Sequence, residues 1–294
     1  MNAQAEVRQF LVTRRARLTP ETAGLPTATG RRRVPGLRRE ELASLAGVSV
    51  DYYIRLERGN LSCASDGVLE AIARALQLND VERAHLFDLA RAAQARAPWQ
   101  SPRSTLRPGL QAMVDAMTGV PAIVRNQRLD ILAGNRLGRA LYSELYRAPA
   151  RPVNLARFAF LEPRAHDFWV DWPEAADATV GVLRTEAARS NDPGLTSLVD
   201  ELCARSEQFR ARWAAHDVRL HGAGTKQLNH PVVGSLEVQY ETLQPPIDPG
   251  LTMHVYTARP GSASALALER LTAWSLDQLP EKDSTHDRNE DLGA

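Results

Sequence analysis

At 294 residues, 44% of them hydrophobic and 24% charged, the chain is long enough for two domains that each bury a core. Its formal net charge of +1 gives no global argument for or against a polyanionic partner. The two cysteines, Cys63 and Cys203, are far apart and show no Cys/His pairing at zinc spacing, which excludes a disulfide framework and a zinc module.

The distribution of charge says more. Residues 1–60 carry eleven arginines against six acids, so this stretch is +5 and the remainder −4. Such asymmetry fits a cationic module for a polyanion followed by a mildly acidic module, although solvated helix faces would read the same way. "MNAQAEVRQFLVTRRARL" lacks the apolar centre of a signal peptide, and no run of eighteen apolar residues occurs. A cytoplasmic protein without a membrane partner is expected.

In chain order, Val7, Phe10, Leu11, Arg14 and Leu18 predict a first helix, and "TPETAGLPTATGRRRVPG" a loop. Two short helices follow in "LRREELASLAGVSVDYYIRLERG". Leu42, Ala43, Leu45 and Ala46 form the inward side of the first, Gly47 permits the positive φ that ends it, Val48 packs in the turn, and Ser49 caps the second. With Tyr53 and Leu56 turned inward, Val50, Asp51, Tyr52 and Arg55 face out. "SDGVLEAIARALQL" predicts a fourth helix capped by Ser65 or Asp66, and "DVERAHLFDLARAA" a fifth capped by Asp80.

"ARAPWQSPRSTLRPG" breaks this rhythm with three prolines and marks a boundary. "PAIVRNQRLDILAGN" predicts a hairpin turning at Asn126-Gln127-Arg128, and "LTSLVDELCARSEQFRARW" one helix with Leu195, Leu198, Leu202, Phe209 and Trp213 on one face. "SLEVQYETL" places Leu236, Val238 and Tyr240 on one side of a strand, "LTMHVYTAR" alternates likewise, and "HDVRLHG" reads as a fifth strand. The sum is an α+β domain, one antiparallel sheet covered by helices on one side. The expected divisions are a DNA-binding domain over 1–97, a linker over 98–109, a second domain over 110–278 and a disordered tail over 279–294.

A short helix with an exposed first turn and flanking arginines suits the major groove of double-stranded DNA, with phosphates held by its neighbours. The stretch resembles the helix-turn-helix of the xenobiotic-response-element repressor family at its "LxxEELAxxxGVSxxxxxxxExG" positions. With "RRRVPG" before it and "SDGVLEAIARAL" after it, it is similar to the N-terminal domain of MmyB-like bacterial transcription regulators. "PAIVRNQRLDILAGNRLGRAL", "FRARWAAHDVRLHGAGTKQLNHPVVGSLEVQYETL" and "LTMHVYTARPGS" look like motifs of that group's PAS-like ligand-binding domain. The resemblance implies a λ-repressor-like helical bundle, a PAS-like second domain, a nucleoid location when DNA-bound, and a fatty-acid-like ligand with no further cofactor. The expected DNA contacts are Arg31, Arg32, Arg33, Arg38, Arg39, Ser49, Val50, Asp51, Tyr52 and Arg55.

For the second domain, Arg212, Trp213, His216 and Tyr240 could hold the acidic head of an amphipathic effector. A structural arginine and a core tryptophan fit the same residues. His216 and His221, near Asp217 and His230, are five apart, a poor spacing for metal, and none is expected. No GxSxG or phosphate loop occurs, and "GAGTK" lacks P-loop spacing, so no catalytic residues are expected. The expectation is a regulator that binds as a homodimer, since one short helix offers few base contacts. The competing reading makes the second domain a dimerisation or protein-interaction module without ligand.

Overall fold

The computed structural model describes residues 3–25, 36–61, 64–94, 106–147, 152–190, 192–215 and 223–278. The N-terminal part holds α1 (Ala3–Arg17), α2 (Arg39–Leu45), α3 (Val50–Glu57), α4 (Asp66–Ala75) and α5 (Asp80–Gln94). Each helix sends residues at helical spacing into one centre: Val7, Phe10 and Leu11, then Leu42 and Ala43, Tyr53 and Leu56, Leu69 and Ile72, Leu86 and Leu89. Fully burying an aliphatic or aromatic side chain of this size contributes about 1.5–3 kcal/mol. Arg14, on the inward stripe of α1, is buried and pairs with Glu82 at 2.9 Å.

The turn between α2 and α3 is built as its residues dictate. Gly47 takes φ +65°, and the amides of Gly47 and Val48 donate to the carbonyls of Ser44 (3.1 Å) and Ala43 (3.0 Å), closing α2. Ser49 Oγ accepts the amide of Tyr52 at 3.2 Å and starts α3. Two expectations need correction. Leu45 is exposed, because it lies past the edge of the arc set by Leu42, Ala43 and Ala46. The cap of α5 is Asn79, whose Oδ1 accepts the Glu82 amide (2.9 Å) while the Glu82 carboxylate accepts the Asn79 amide (3.2 Å); Asp80 is already helical.

The second part begins with α6 (Pro108–Ala116), which starts inside the stretch read as linker because Pro108 is well placed in a first helical turn. Then come β1 (Ala122–Arg125), β2 (Ile131–Gly134), α7 (Arg136–Leu141), α8 (Ser143–Tyr146), α9 (Leu155–Leu161), α10 (Arg164–Phe168), α11 (Trp172–Arg189), α12 (Pro193–Arg205), α13 (Glu207–Ala215), β3 (Ala223–His230), β4 (Gly234–Leu243), β5 (Thr252–Thr257) and α14 (Ala263–Gln278). The one helix expected from Leu195 to Trp213 is broken at Ser206, whose Oγ accepts the Phe209 amide at 3.1 Å and starts α13. The five strands form one antiparallel sheet ordered β2-β1-β5-β4-β3, a PAS-like α+β arrangement with helices inserted between β2 and β3. "HDVRLHG", the expected fifth strand, lies outside the described residues, and β3 follows it. As an edge strand with only Leu228 and His230 buried, β3 carries little apolar alternation.

Helices cover more than one side of this sheet. Opposite residues in register share a face, so Ile123, His254, Tyr256 and Tyr240 look one way, toward the α7, α9 and α14 side chains of the main core. Val124 and Met253 look the other way and pack with Ala133, Leu251 and the α6 residues Leu110 and Val114. The central strand β5 is therefore buried on both faces, where sequence alternation suggested a sheet covered on one.

The two parts meet along α11, which packs on α5. Arg184, fully buried, pairs with Glu6 of α1, donates to the carbonyl of Trp213 and lies 4.3 Å above the Trp213 ring. Arg189 reaches Asp88 of α5 at 2.8 Å, and Ala188 joins the core of the helical bundle. Among the described residues no helix is long and apolar enough to cross a membrane.

Candidate functional site

Two surfaces carry chemistry. The first is the outer face of α2 and α3. Val50, Asp51 and Arg55 are exposed on α3, with Ser49 exposed at its cap. Tyr52 is half-buried, its ring against the bundle core and 5.3 Å beneath the Arg55 guanidinium. Arg38 is exposed at the start of α2, where its amide donates to the Glu41 carboxylate at 2.7 Å. Arg31, Arg32 and Arg33 lie outside the described residues.

Arg39 has a second occupation. Its Nε and Nη2 donate to Glu57 Oε1 at 2.9 and 2.8 Å, while Arg15 donates to the same carboxylate from Nε (3.0 Å) and Nη2 (3.2 Å). Glu57 thereby joins α1, α2 and α3 beneath the exposed face. Burial alone would push its carboxyl up, but the hydrogen bonds from Arg39 and Arg15 outweigh this and hold it below the ordinary glutamate value. The Arg39 side chain remains 51% exposed, so it can meet a phosphate only with the edge that Glu57 leaves open.

The second site is a cavity of about 670 Å³ between α11 and the sheet. Ala175, Ala178, Thr179 and Val182 line it from α11, and Leu129 and Leu155 add apolar surface. Asp171, Glu174 and Lys226 stand at its more exposed rim, and the Lys226 ammonium lies 5.0 Å from the centre of the Tyr240 ring. Its buried end is made by Arg125, His254, Tyr256 and Trp169. The register explains the grouping, since the residues of β1, β5 and β4 that line it share one face of the sheet.

Arg125 is 5% exposed. Its Nε donates to His254 Nε2 at 2.9 Å and its Nη1 to the Asn126 carbonyl at 3.3 Å, and no carboxylate pairs with it among the described residues. Burial pushes the guanidinium down from its ordinary value, against the opposing influence of Glu186 and Tyr256. An arginine does not give up its proton in a protein, so the site keeps a buried cation that no carboxylate touches among the described residues, Glu186 acting on it only at longer range. The Trp169 indole N–H is likewise buried at the cavity without a hydrogen-bond partner among the described residues. Tyr256 is held to Tyr142 by a 2.8 Å bond between hydroxyls, and burial pushes its phenol up so that it stays protonated.

Of the residues singled out from sequence for a ligand, Tyr240 lines this cavity, and Arg212 and Trp213 are not in its lining. Arg212 lies on the other side of α11, bound to Asp177 (2.9 Å) and Gln208 (2.6 Å) and 5.0 Å above the Trp172 ring. Trp213 stacks on Phe209 at 5.5 Å and supports Arg184 at the junction with the N-terminal part. His216, Asp217 and His221 lie outside the described residues. His230 is buried, with Nδ1 accepting the Val232 amide (3.2 Å) and Nε2 at 3.0 Å from the Ala140 carbonyl, which ties the end of β3 to α7. Among the described residues no group of three or more His, Cys, Asp or Glu side chains could hold a metal.

Sequence reasoning missed Arg125, although a signal was present. "AIVR" is a run that ends in a charged residue while its other members are apolar and buried. Such a residue breaks the local rule for a central strand, and broken rules cluster at functional sites.

Residues 106–271, more than half of the chain, match the family model described as MmyB-like transcription regulator ligand binding domain. Residues 9–86 match that of a helix-turn-helix domain. No curated protein matches the chain.

Proposed function

Since the chain belongs to the family of the MmyB-like transcription regulator ligand binding domain, we propose that its helix-turn-helix reads an operator on double-stranded DNA while the second domain senses an amphipathic, fatty-acid-like effector. The observation that carries the effector reading is Arg125. A buried cation with no carboxylate in ion-pair contact among the described residues, at the buried end of a cavity that α11 lines with Ala175, Ala178 and Val182, suits a carboxylate head with its tail along α11. The Trp169 N–H supplies a second donor. A cavity of this size also speaks against a domain that serves only to pair subunits.

On the DNA side, Val50, Asp51, Tyr52 and Arg55 face the bases, and Arg38, Arg39 and the Arg31–Arg33 run hold phosphates. Two copies bind an inverted repeat with half-sites about 34 Å apart, one helical turn of DNA. The path between the sites is α11, which lines the cavity from Glu174 to Val182 and carries Arg184 and Arg189 to the DNA-binding part. Glu186, on the same helix, faces the charges of Arg125 on one hand and of Arg189 and Asp88 on the other. An anion on Arg125 therefore alters the field in which the Arg189–Asp88 contact is made.

The test is titration of a long-chain fatty acid and its methyl ester into the full chain and into Arg125→Gln. A charge-assisted hydrogen bond contributes about 1.5–3 kcal/mol, so the variant should bind the acid roughly 10- to 150-fold more weakly. The ester should bind both proteins alike. Removing one partner of a structural buried ion pair costs about 3–5 kcal/mol, whereas Arg125→Gln should leave the thermal midpoint unchanged or raise it. Equal affinity of both proteins for the acid would overturn the reading.

A further inference from the structure

We infer that the mouth of the cavity is a second anion site, built by Lys226 and the open edge of β3, and that the effector is an α,ω-dicarboxylic acid; this rests on the reading of Arg125 as the seat of the first carboxylate.

Lys226 stands opposite Val238 in the sheet register, so its side chain shares the face of Val238 and Tyr240 and points into the cavity. Its ammonium lies 5.0 Å from the centre of the Tyr240 ring and makes no hydrogen bond or ion pair among the described residues. A cation resting on an aromatic face keeps its N–H groups for a ligand. Gly224, where a Cβ would sit 3.1 Å from the Tyr240 ring, leaves room for that ring. The strand edge adds a main-chain donor. The Gln227 carbonyl accepts the Val170 amide at 3.2 Å from the side away from β4, and main-chain direction alternates along a strand, so the Thr225 N–H leaves the same edge. The Gln227 side chain bonds Glu237 at 3.1 Å on the opposite face of the sheet, so Gln227 and Thr225 line the cavity with backbone.

The two acids at the mouth do not reverse its character. Asp171 Oδ1 accepts the Glu174 amide at 2.9 Å and caps α11, and both residues are exposed, whereas Lys226 is half-buried on the inner face. The spacing of the two cations sets the chain. Arg125 Nε is 2.9 Å from His254 Nε2, the His254 and Tyr240 rings are 6.3 Å apart, and Lys226 is 5.0 Å from Tyr240, which keeps the cations within about 15 Å of each other. With roughly 3.5 Å from each cation to its carboxyl carbon, about 8 Å remains, and an extended chain advancing roughly 1.2 Å per bond covers it with about eight carbons.

Isothermal titration of octanedioic acid, its monomethyl ester and 8-aminooctanoic acid into the full chain tests this. The wild type should bind the diacid at least about fivefold more tightly than the monoester, the increment expected of one half-exposed ion pair. Lys226→Met should bring that ratio to about one, and Lys226→Arg should keep it above about threefold. The ratio is taken within one protein, so a partly folded variant loses signal for both ligands and keeps its ratio. A wild-type ratio of one or less, a Lys226→Met ratio equal to that of wild type, or tightest binding of the amino acid, which would give the mouth to Asp171 and Glu174, would each overturn the proposal. Failure of these ratios while Arg125→Gln still weakens the monoester leaves the Arg125 reading standing. No effect of Arg125→Gln on any of the three ligands, or no binding of any of them to the wild type, overturns both.

Discussion

Replacing Glu57 by glutamine should loosen the DNA-facing unit from beneath while replacing none of its exposed side chains. Glu57 is 2% exposed and accepts hydrogen bonds from both Arg15 and Arg39. The substitution takes the charge partner from Arg15, whose side chain is 13% exposed and keeps its 2.7 Å bond to the Leu37 carbonyl, whereas Arg39 can rehydrate. Breaking a buried pair costs about 3–5 kcal/mol, and the half-exposed partner brings the expectation to the lower end, about 3 kcal/mol. Arg39→Gln leaves Glu57 still paired to Arg15 and should cost about 1 kcal/mol or less. With two domains no single unfolding free energy describes the chain, so the assay is amide hydrogen exchange of residues 50–57 in the full protein. Glu57→Gln should speed it about a hundredfold. Because the folded carboxyl is held below its ordinary value, its stabilisation is present above that value and fades as pH falls below about 4.5. Opening of this segment, read as exchange divided by the intrinsic chemical rate at each pH, should become more frequent on acidification in the wild type and lose most of that dependence in Glu57→Gln. Equal effects of Glu57→Gln and Arg39→Gln, or no effect of either, would refute the reasoning.

Tyr52→Ala and Asp51→Ala should change which operator is selected, each base contact being worth about 1–3 kcal/mol, whereas Arg38→Ala should weaken all sequences alike and flatten the salt dependence; selection from a random DNA pool at two salt concentrations separates them. Arg189→Ala removes the 2.8 Å contact to Asp88 and should leave fatty-acid affinity unchanged while shrinking the factor by which operator alters it. Paired titrations with and without operator read that factor, and an unchanged factor removes α11 from the path.

The N-terminal unit was the more legible half of the molecule. Its elements are local, and each carries its own punctuation: Gly47 ends one helix by taking a positive φ, Ser49 starts the next, and Ser65 starts the fourth. What remained hidden there was the buried carboxylate of Glu57, since sequence shows that a glutamate precedes the arginine-glycine pair but not that two arginines from other helices converge on it. In the second domain the strands with strong alternation were legible, β4 above all. The edge strand β3 was not, because an edge needs few apolar residues. The ligand assignment to Arg212 and Trp213 rested on closeness in sequence to an aromatic and a histidine. The cavity is assembled by sheet register, which brings Arg125, His254 and Tyr240 together from three strands, and Arg212 and Trp213 lie outside its lining.

That assembly explains why α11 could not be recognised as the element joining the two parts. Its pattern reads as an ordinary amphipathic helix, and its alanines at 175 and 178 look like packing residues. Yet small side chains there leave the space that the cavity occupies, and larger ones would fill it. Further along the same helix, Arg184 and Arg189 exchange packing for ion pairs with Glu6 and Asp88. Ion pairs across a junction depend on the local field and on angstrom-scale geometry, while apolar contacts tolerate small shifts. On the proposed reading, this helix, with space at one end and charge-dependent contacts at the other, is the element through which an occupant of the cavity would reach the N-terminal part. The proline-rich stretch that marks the boundary lies mostly outside the described residues and is not required for this path.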